Sequence, residues 1–258
     1  MKAIRLIISD LEGCITPNKG IPFDLDALYE MAKYNQKALE DNKPPLTICS
    51  GRPQPYIEAI IRIIQGSMPA ICENGAVIYI PTTDKTLIHP AIGFEVMEAM
   101  EKVKRILTKE IQNKTLEAQI EPGKTVCISL NPIGCSNEEL PNKVKELHHI
   151  VSLKLENIEN LNITHSASAV DVTPNGIDKF MGLKFLSEIT NILPEEMIGI
   201  GDSAGDISFL KEVAIPCCPN NSSPEVKNIA SYTSPYNNGK GVLDILRKFT
   251  NVERYEIS

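Results

Sequence analysis

The sequence predicts an α/β fold, a doubly wound parallel sheet interrupted by a smaller α+β insert. Three observations lead there. Short, wholly apolar runs end in acidic or glycine-containing turns, segments with helical spacing alternate with those runs, and the rhythm stops in the middle of the chain.

The aliphatic run Ala3–Ser9 ends at Asp10, as expected of a strand covered on both faces. From about Asp24 to Asn42 the apolar residues Leu25, Leu28, Met31, Ala32 and Leu39 fall near helical spacing. Pro44-Pro45 punctuates, and Leu46–Cys49 forms a second strand before Ser50-Gly51-Arg52. A helix from Pro55 to Gln65 and a third strand from Ala70 to Cys72 complete a βαβαβ unit, which implies right-handed crossovers. Between Pro81 and Pro174 the character changes. A long helix (Phe94–Ile111) with Lys/Glu pairs is followed by a strand (Thr125–Leu130), a helix (Glu138–Ile150) and a strand-like stretch (His165–Val172). The βα alternation then returns. It gives a helix over Ile177–Ile189, a strand over Met197–Ile200, a helix over Asp206–Lys211, a strand over Ala214–Cys217 and a last helix over Gly241–Phe249. Residues 1–81 and 175–258 are therefore expected to form the core and 82–174 the insert.

Composition narrows the function. A net charge of −7 argues against a surface that coats nucleic acid, while leaving room for a small anionic substrate held by local cations. No apolar stretch reaches the 18 residues of a membrane span, and Asp10 and Glu12 break the N-terminal apolar run too early for a signal peptide. Seven scattered cysteines without a C-x-x-C pair read as reduced thiols of a cytoplasmic protein rather than as zinc ligands. Oligomeric state is not legible.

Four stretches carry the chemistry. Asp10-Leu11-Glu12-Gly13 places two carboxylates at a strand end, where open α/β sheets bind ligands, and such a pair suits a nucleophile and a general acid/base. Ser50-Gly51 offers a hydroxyl and a backbone N–H to a phosphate oxygen, though it also reads as an ordinary turn. Lys179 can pair with a phosphate and with a carboxylate nucleophile, though a lysine on a helix is more often simply solvated. Gly201-Asp202-Ser203-Ala204-Gly205-Asp206 sets two acids at a strand-to-helix junction, a pattern that suits Mg²⁺, with helix capping the simpler reading for Asp206.

Together these stretches, in this order, resemble the haloacid dehalogenase superfamily, in particular its Cof-type, sucrose-phosphatase-like branch with a large α+β cap. Glu73-Asn74-Gly75-Ala76 adds to the likeness. The resemblance implies a Rossmann-like core and a magnesium-dependent phosphatase acting on a small phosphorylated metabolite, such as a sugar phosphate or a phosphoglycolate-like acid. It implies Asp10 as nucleophile and Glu12 as acid/base. Mg²⁺ is then held by Asp10, the Glu12 carbonyl and Asp202, with Asp206 in support. Phosphate falls to Ser50, Gly51, Arg52 and Lys179. Asn74, Asn220 and Asn221 are possible supports, the last two near Asp202, although both also read as surface turn residues.

Three positions depart from the family pattern: Glu12 for Asp, Cys14 for Thr and Gly205 for a frequent Asn. The extra methylene of Glu12 moves its carboxyl by about 1 Å, a misplacement that can cost on the order of 100-fold in rate. Two other readings stand beside the phosphatase: a phosphohexomutase, because the resemblance extends to capped mutases, and a weakened phospho-ligand sensor, which Glu12 and Cys14 support. In the insert, the Glu121-Pro122-Gly123-Lys124 turn reads either as a solvent-facing hairpin turn or as a specificity loop.

Overall fold

The computed structural model describes residues 2–136, 138–166 and 168–250. Along the chain run β1 (Leu6–Ser9), α1 (Leu25–Glu40), β2 (Leu46–Ile48), α2 (Gln54–Ile63), β3 (Ala70–Cys72), β4 (Val77–Ile80) and β5 (Lys85–Ile88). Next come α3 (Phe94–Gln112), β6 (Ala118–Ile120), β7 (Ile128–Pro132), α4 (Leu140–Lys154), β8 (Leu161–His165) and β9 (Val170–Pro174). The chain continues with α5 (Lys179–Thr190), β10 (Met197–Ile200), α6 (Ile207–Leu210), β11 (Ile215–Cys218), α7 (Pro224–Ile229), β12 (Tyr232–Thr233) and α8 (Asn238–Thr250). Two compact units result, one made of the chain up to Leu87 and from Asp178 on, the other of Ile88–Ile177.

In the first unit five parallel strands lie in the order β12-β11-β10-β1-β2. A parallel bridge between Cys49 and Ile71 joins β3 beyond β2, and β3 turns back antiparallel into β4. The order reverses between β1 and β10, so their carboxyl ends flank the crevice where such sheets bind ligands. All four residues of β1 and of β10 are buried, which is why both read as unbroken apolar runs. Leu6, Ile8, Ile71, Leu183, Leu186, Met197 and Phe209 share one core cluster. Each such side chain contributes about 1.5–3 kcal/mol on burial.

Local chemistry sets the helix limits. Asp24 caps α1 by accepting from the Ala27 N–H, and the helix buries Ala27, Leu28, Met31, Ala32, Tyr34 and Ala38. Leu25 and Leu39, which share the apolar spacing, are exposed. Buried Asn35 on this helix donates to the Ile64 carbonyl and accepts from the Leu46 N–H, tying α1 to α2 and β2 with no polar end unsatisfied.

The second unit is an antiparallel sheet, β6-β7-β9-β8, packed with α3 and α4 around Val103, Leu107, Leu130, Val144, Val151, Val170 and Val172. The stretch His165–Val172 is not one strand. It belongs to two strands paired antiparallel from Leu161↔Pro174 to His165↔Val170, with the Ser166 hydroxyl accepting from Ser168 and Ala169 N–H groups in the turn. Serine's ability to bond the backbone two and three residues on supplies that reversal. No helix among the described residues is long and apolar enough to cross a membrane.

One backbone device links the strands to the site. Glu73, Asn74 and Gly75 all take positive φ (50°, 55° and 100°), bending the chain sharply after β3. A Cβ at Gly75 would overlap the Asp178 carbonyl oxygen, and one at Gly182 would lie 2.6 Å from the Gly75 Cα. The two glycines thus let the first turn of α5 rest directly on this bend. Gly75→Ala should be more destabilising than Gly20→Ala, whose φ is +85° but whose surroundings are open. The second change pays only the left-handed backbone penalty of about 1–2 kcal/mol; the first adds an overlap of about 1–3 kcal/mol. Urea denaturation of both variants checks the order, and equal midpoints would contradict it.

Candidate active site

The site forms where β1 and β10 end and α5 begins. Asp10 follows β1, its N–H donating to the Ile200 carbonyl of the neighbouring strand at 2.8 Å. Asp178 caps α5 by accepting from the Met181 N–H at 2.9 Å, which leaves Lys179 as the first helical residue, facing the strand ends. The Lys179 ammonium donates to Asp10 Oδ1 at 2.8 Å and to Asp206 Oδ1 at 2.5 Å. Asp202 completes the group: Asp10, Asp202 and Asp206 each place a carboxylate oxygen within 4.8 Å of the others.

Asp206 is fully buried and committed. Its Oδ2 accepts from the Asp202 and Ser203 N–H groups, both at 2.9 Å, and from the Ser203 hydroxyl at 3.2 Å. It closes the capping box of the short 3-10 turn Ala204–Asp206 without bonding the N-terminus of α6, and it is the second anchor of Lys179. The 201–206 loop folds this tightly because Gly201 has no Cβ to strike Asp206, the nearest atom lying 2.5 Å from where one would stand. Gly13 does the same service on the other side: at φ +82° it lies against the Asp202 carboxylate, which any side chain would overlap.

Three carboxylates with one ammonium leave the cluster two charges short of neutrality, and this shows in proton affinity. Burial, reinforced by Asp206 and opposed by Lys179, pushes the Asp10 carboxyl up to about 7. Burial, then Asp10 and Asp206, pushes Asp202 up to about 8. Burial disfavours charge on Lys179, but the neighbouring Asp10 and Asp206 outweigh it and hold the ammonium protonated. Cys14, buried where a hydroxyl residue was expected, has its thiol pushed up by burial and then by Asp202 and Asp10.

Ser50 follows β2 and is buried. Its Oγ accepts from the Arg52 N–H at 3.3 Å, and its hydroxyl hydrogen has no acceptor among the described residues. Gly51 makes room for Asn74, whose side-chain Oδ1 lies 2.8 Å from where a Cβ would stand. Backbone bonds from Glu73 N–H to the Arg52 carbonyl and from Asn74 N–H to the Ser50 carbonyl join this loop to the bend after β3.

Other sequence expectations fall differently. Arg52, expected beside the phosphate, gives its guanidinium to Glu12: Nε bonds Oε2 at 2.9 Å and Nη2 bonds Oε1. A planar guanidinium fork matches a carboxylate. The Glu12 carboxylate is not part of the three-acid group. Asn220 is exposed, and its backbone N–H donates to the Tyr236 carbonyl at 2.8 Å. Asn221 supports Gly13 rather than Asp202, donating to the Gly13 carbonyl at 2.8 Å and accepting from the Asn238 N–H at 2.7 Å. Asp202 is instead steadied by Ser223, whose N–H donates to its carbonyl at 2.8 Å. Ser223-Pro224, a capping residue followed by a first-turn proline, was the available signal. In the second unit Lys124 is not solvent-facing. Its side chain is 4% exposed and pairs with Glu121 at 3.4 Å and Asp171 at 3.6 Å.

A strand-end carboxylate, a buried ammonium and an acidic loop thus meet at the switch point of an α/β sheet. The chain belongs to the haloacid dehalogenase-like hydrolases, whose family model matches residues 7–159 and 105–246. It is 25% identical to the phosphoglycolate phosphatase of Sulfolobus acidocaldarius over 95% of this chain and 96% of that one. In fold it resembles a Thermoplasma acidophilum crystal structure (TM-score 0.72, 18% identity, 96% and 99% of the two chains). It likewise resembles the Synechocystis sucrose-phosphatase solved with sucrose and phosphate (0.64, 18%, 96% and 98%).

The raised carboxyl groups predict a pH slope in stability. Their folded values lie above the ordinary carboxylate value of 3.8, so the folded state holds protons that the unfolded state has released. Stability of chelator-treated protein should therefore fall as pH rises from about 4 to about 8, by about 1.4 kcal/mol per unit for each such proton. Urea titrations at pH 5 and 8 measure it, with Asp202→Asn expected to flatten the slope. A metal-free protein equally stable at both values would contradict the charge imbalance.

Proposed function

We propose that the protein is a magnesium-dependent phosphomonoesterase that hydrolyses a small phosphorylated metabolite, phosphoglycolate or a sugar phosphate, through an aspartyl-phosphate on Asp10. The observation that carries this reading is the Lys179–Asp10–Asp206 contact beside Asp202 at the sheet's switch point. The substrate class rests on the phosphoglycolate phosphatases that match over nearly the whole chain. Their names also favour hydrolysis over mutase or sensor readings.

The donor set fits magnesium: hard carboxylate oxygens, two buried charges in excess, and no imidazole among the grouped ligands. Asp10, Asp202 and the Glu12 carbonyl would hold the ion, while Asp206, already bonded to two N–H groups and Lys179, organises them. Bound there, Mg²⁺ supplies the positive charge that lets an anionic nucleophile approach an anionic phosphate.

The chain's own groups perform the remaining work. Asp10 Oδ attacks phosphorus, a P–O bond forms, and the bond to the leaving oxygen breaks. Glu12 gives that oxygen its proton, then takes a proton from the water that cleaves the acyl phosphate and restores Asp10. The Ser50 hydroxyl, whose hydrogen is uncommitted, and the Lys179 ammonium hold phosphoryl oxygens as charge builds on them. Lys179 also steers the Asp10 carboxylate.

Phosphate release from a panel of phosphorylated metabolites, with and without Mg²⁺, tests the reading. Release should require the cation and fall at least about 10³-fold in Asp10→Asn, since the amide cannot form the intermediate. Absence of release from every compound by folded, Mg²⁺-supplemented protein would refute it. Mg²⁺ alone should raise the melting temperature more at pH 8 than at pH 5, because at the lower pH it must displace protons from Asp10 and Asp202. A shift that does not depend on pH, or is unchanged in Asp202→Asn, would place the ion elsewhere.

A further inference from the structure

The Glu12–Arg52 pair is left over from the phosphate-binding expectation, and its geometry is specific. The guanidinium reaches across forty residues of sequence and grips Glu12 through two nitrogens, one on each carboxylate oxygen. Arg52 is the better buried partner, its side chain 14% exposed against 30% for Glu12. It is fixed from three sides. Its N–H donates to Ser50 Oγ, its carbonyl accepts from the Glu73 N–H, and its guanidinium carbon lies 5.0 Å from the centre of the Tyr56 ring. A rigid, ring-backed fork therefore holds a flexible glutamate.

Glutamate has one more rotatable bond than aspartate, so an unrestrained Glu12 would spread its carboxyl over several positions. Displacement of about 1 Å is enough to cost on the order of 100-fold in rate. We propose that Arg52 is a positioning residue for Glu12, the device by which this chain uses glutamate as its acid/base, and not a phosphate ligand. The inference rests on the phosphatase reading above. Arg52 and Glu12 then act as one unit: the fork sets where the carboxyl stands, and the carboxyl moves the proton.

The test is steady-state kinetics of phosphate release for Arg52→Met, Arg52→Lys, Glu12→Gln and the double variant Glu12→Gln/Arg52→Met, with inhibition by inorganic phosphate measured in each. Arg52→Met should lower kcat about 30–100-fold while KM and the phosphate inhibition constant change less than about twofold. Arg52→Lys, a point charge without the fork, should recover only part of the loss. Adding Arg52→Met to Glu12→Gln should cost less than about a further twofold, since Arg52 acts through the acid. If Arg52→Met fails to fold, Tyr56→Leu, which removes the ring behind the guanidinium, should lower kcat with unchanged KM. A kcat unaltered in Arg52→Met or in its Tyr56→Leu substitute, losses that multiply in the double variant, or weakened phosphate inhibition would each overturn the inference while leaving the phosphatase reading intact. No release by wild-type protein would overturn both.

Discussion

The site depends on one buried ammonium. Lys179 is almost wholly removed from water and sits between two carboxylates, Asp10 at 2.8 Å and Asp206 at 2.5 Å. An unpaired charge at that depth would cost several kcal/mol, and so would either carboxylate without it. Each partner makes the others tenable, and the three come from different elements: the end of β1, the start of α5 and the loop after β10. The sheet's reversal between β1 and β10 brings two of them together. The docking of α5 must bring the third.

That docking explains several residues that do no chemistry. Helix α5 can bring its first turn to the strand ends only if its backbone lies against the bend after β3, which Gly75 and Gly182 permit. The same bend bonds the Ser50 and Arg52 carbonyls through the Asn74 and Glu73 N–H groups. One three-residue bend therefore registers the Ser50 loop and Lys179 against each other. Asn221 closes the opposite side by fixing the Gly13 carbonyl, with Gly13 against Asp202. The catalytic groups are few, but their placement is a property of the backbone around them.

Much of this was legible in the sequence, for a physical reason. Strands buried on both faces must be apolar throughout, and β1, β3 and β10 announce themselves as apolar runs followed by Asp10, Glu73 and Asp202. Strands with an exposed face carry a weaker signal. The strand Leu161–His165 has only two apolar residues, both partly exposed, so of the hairpin β8–β9 only His165–Val172 reads as strand, and two-residue β12 has no period at all. Within the site the residue types show which groups carry charge, but not which charges meet. Lys179 finds Asp10 across 169 residues of chain, and Arg52 finds Glu12 across forty. For Lys179 the family resemblance anticipates the partner. For Arg52 it points to a phosphate, whereas the guanidinium is paired with the Glu12 carboxylate.

The remaining constraint is charge. Three carboxylates share one ammonium, and the cluster responds by holding protons on Asp10 and Asp202 well above the ordinary carboxylate range. A protonated Asp10 is a poor nucleophile, and a deprotonated one repels a phosphate, so the protein alone cannot satisfy both demands. On the proposed reading, a divalent cation would resolve the conflict by replacing the protons and leaving both carboxylates ionised. Burial and charge count thus favour the cation-dependent reading proposed above. A local cation would also reconcile the net charge of −7 with the anionic substrate of that reading.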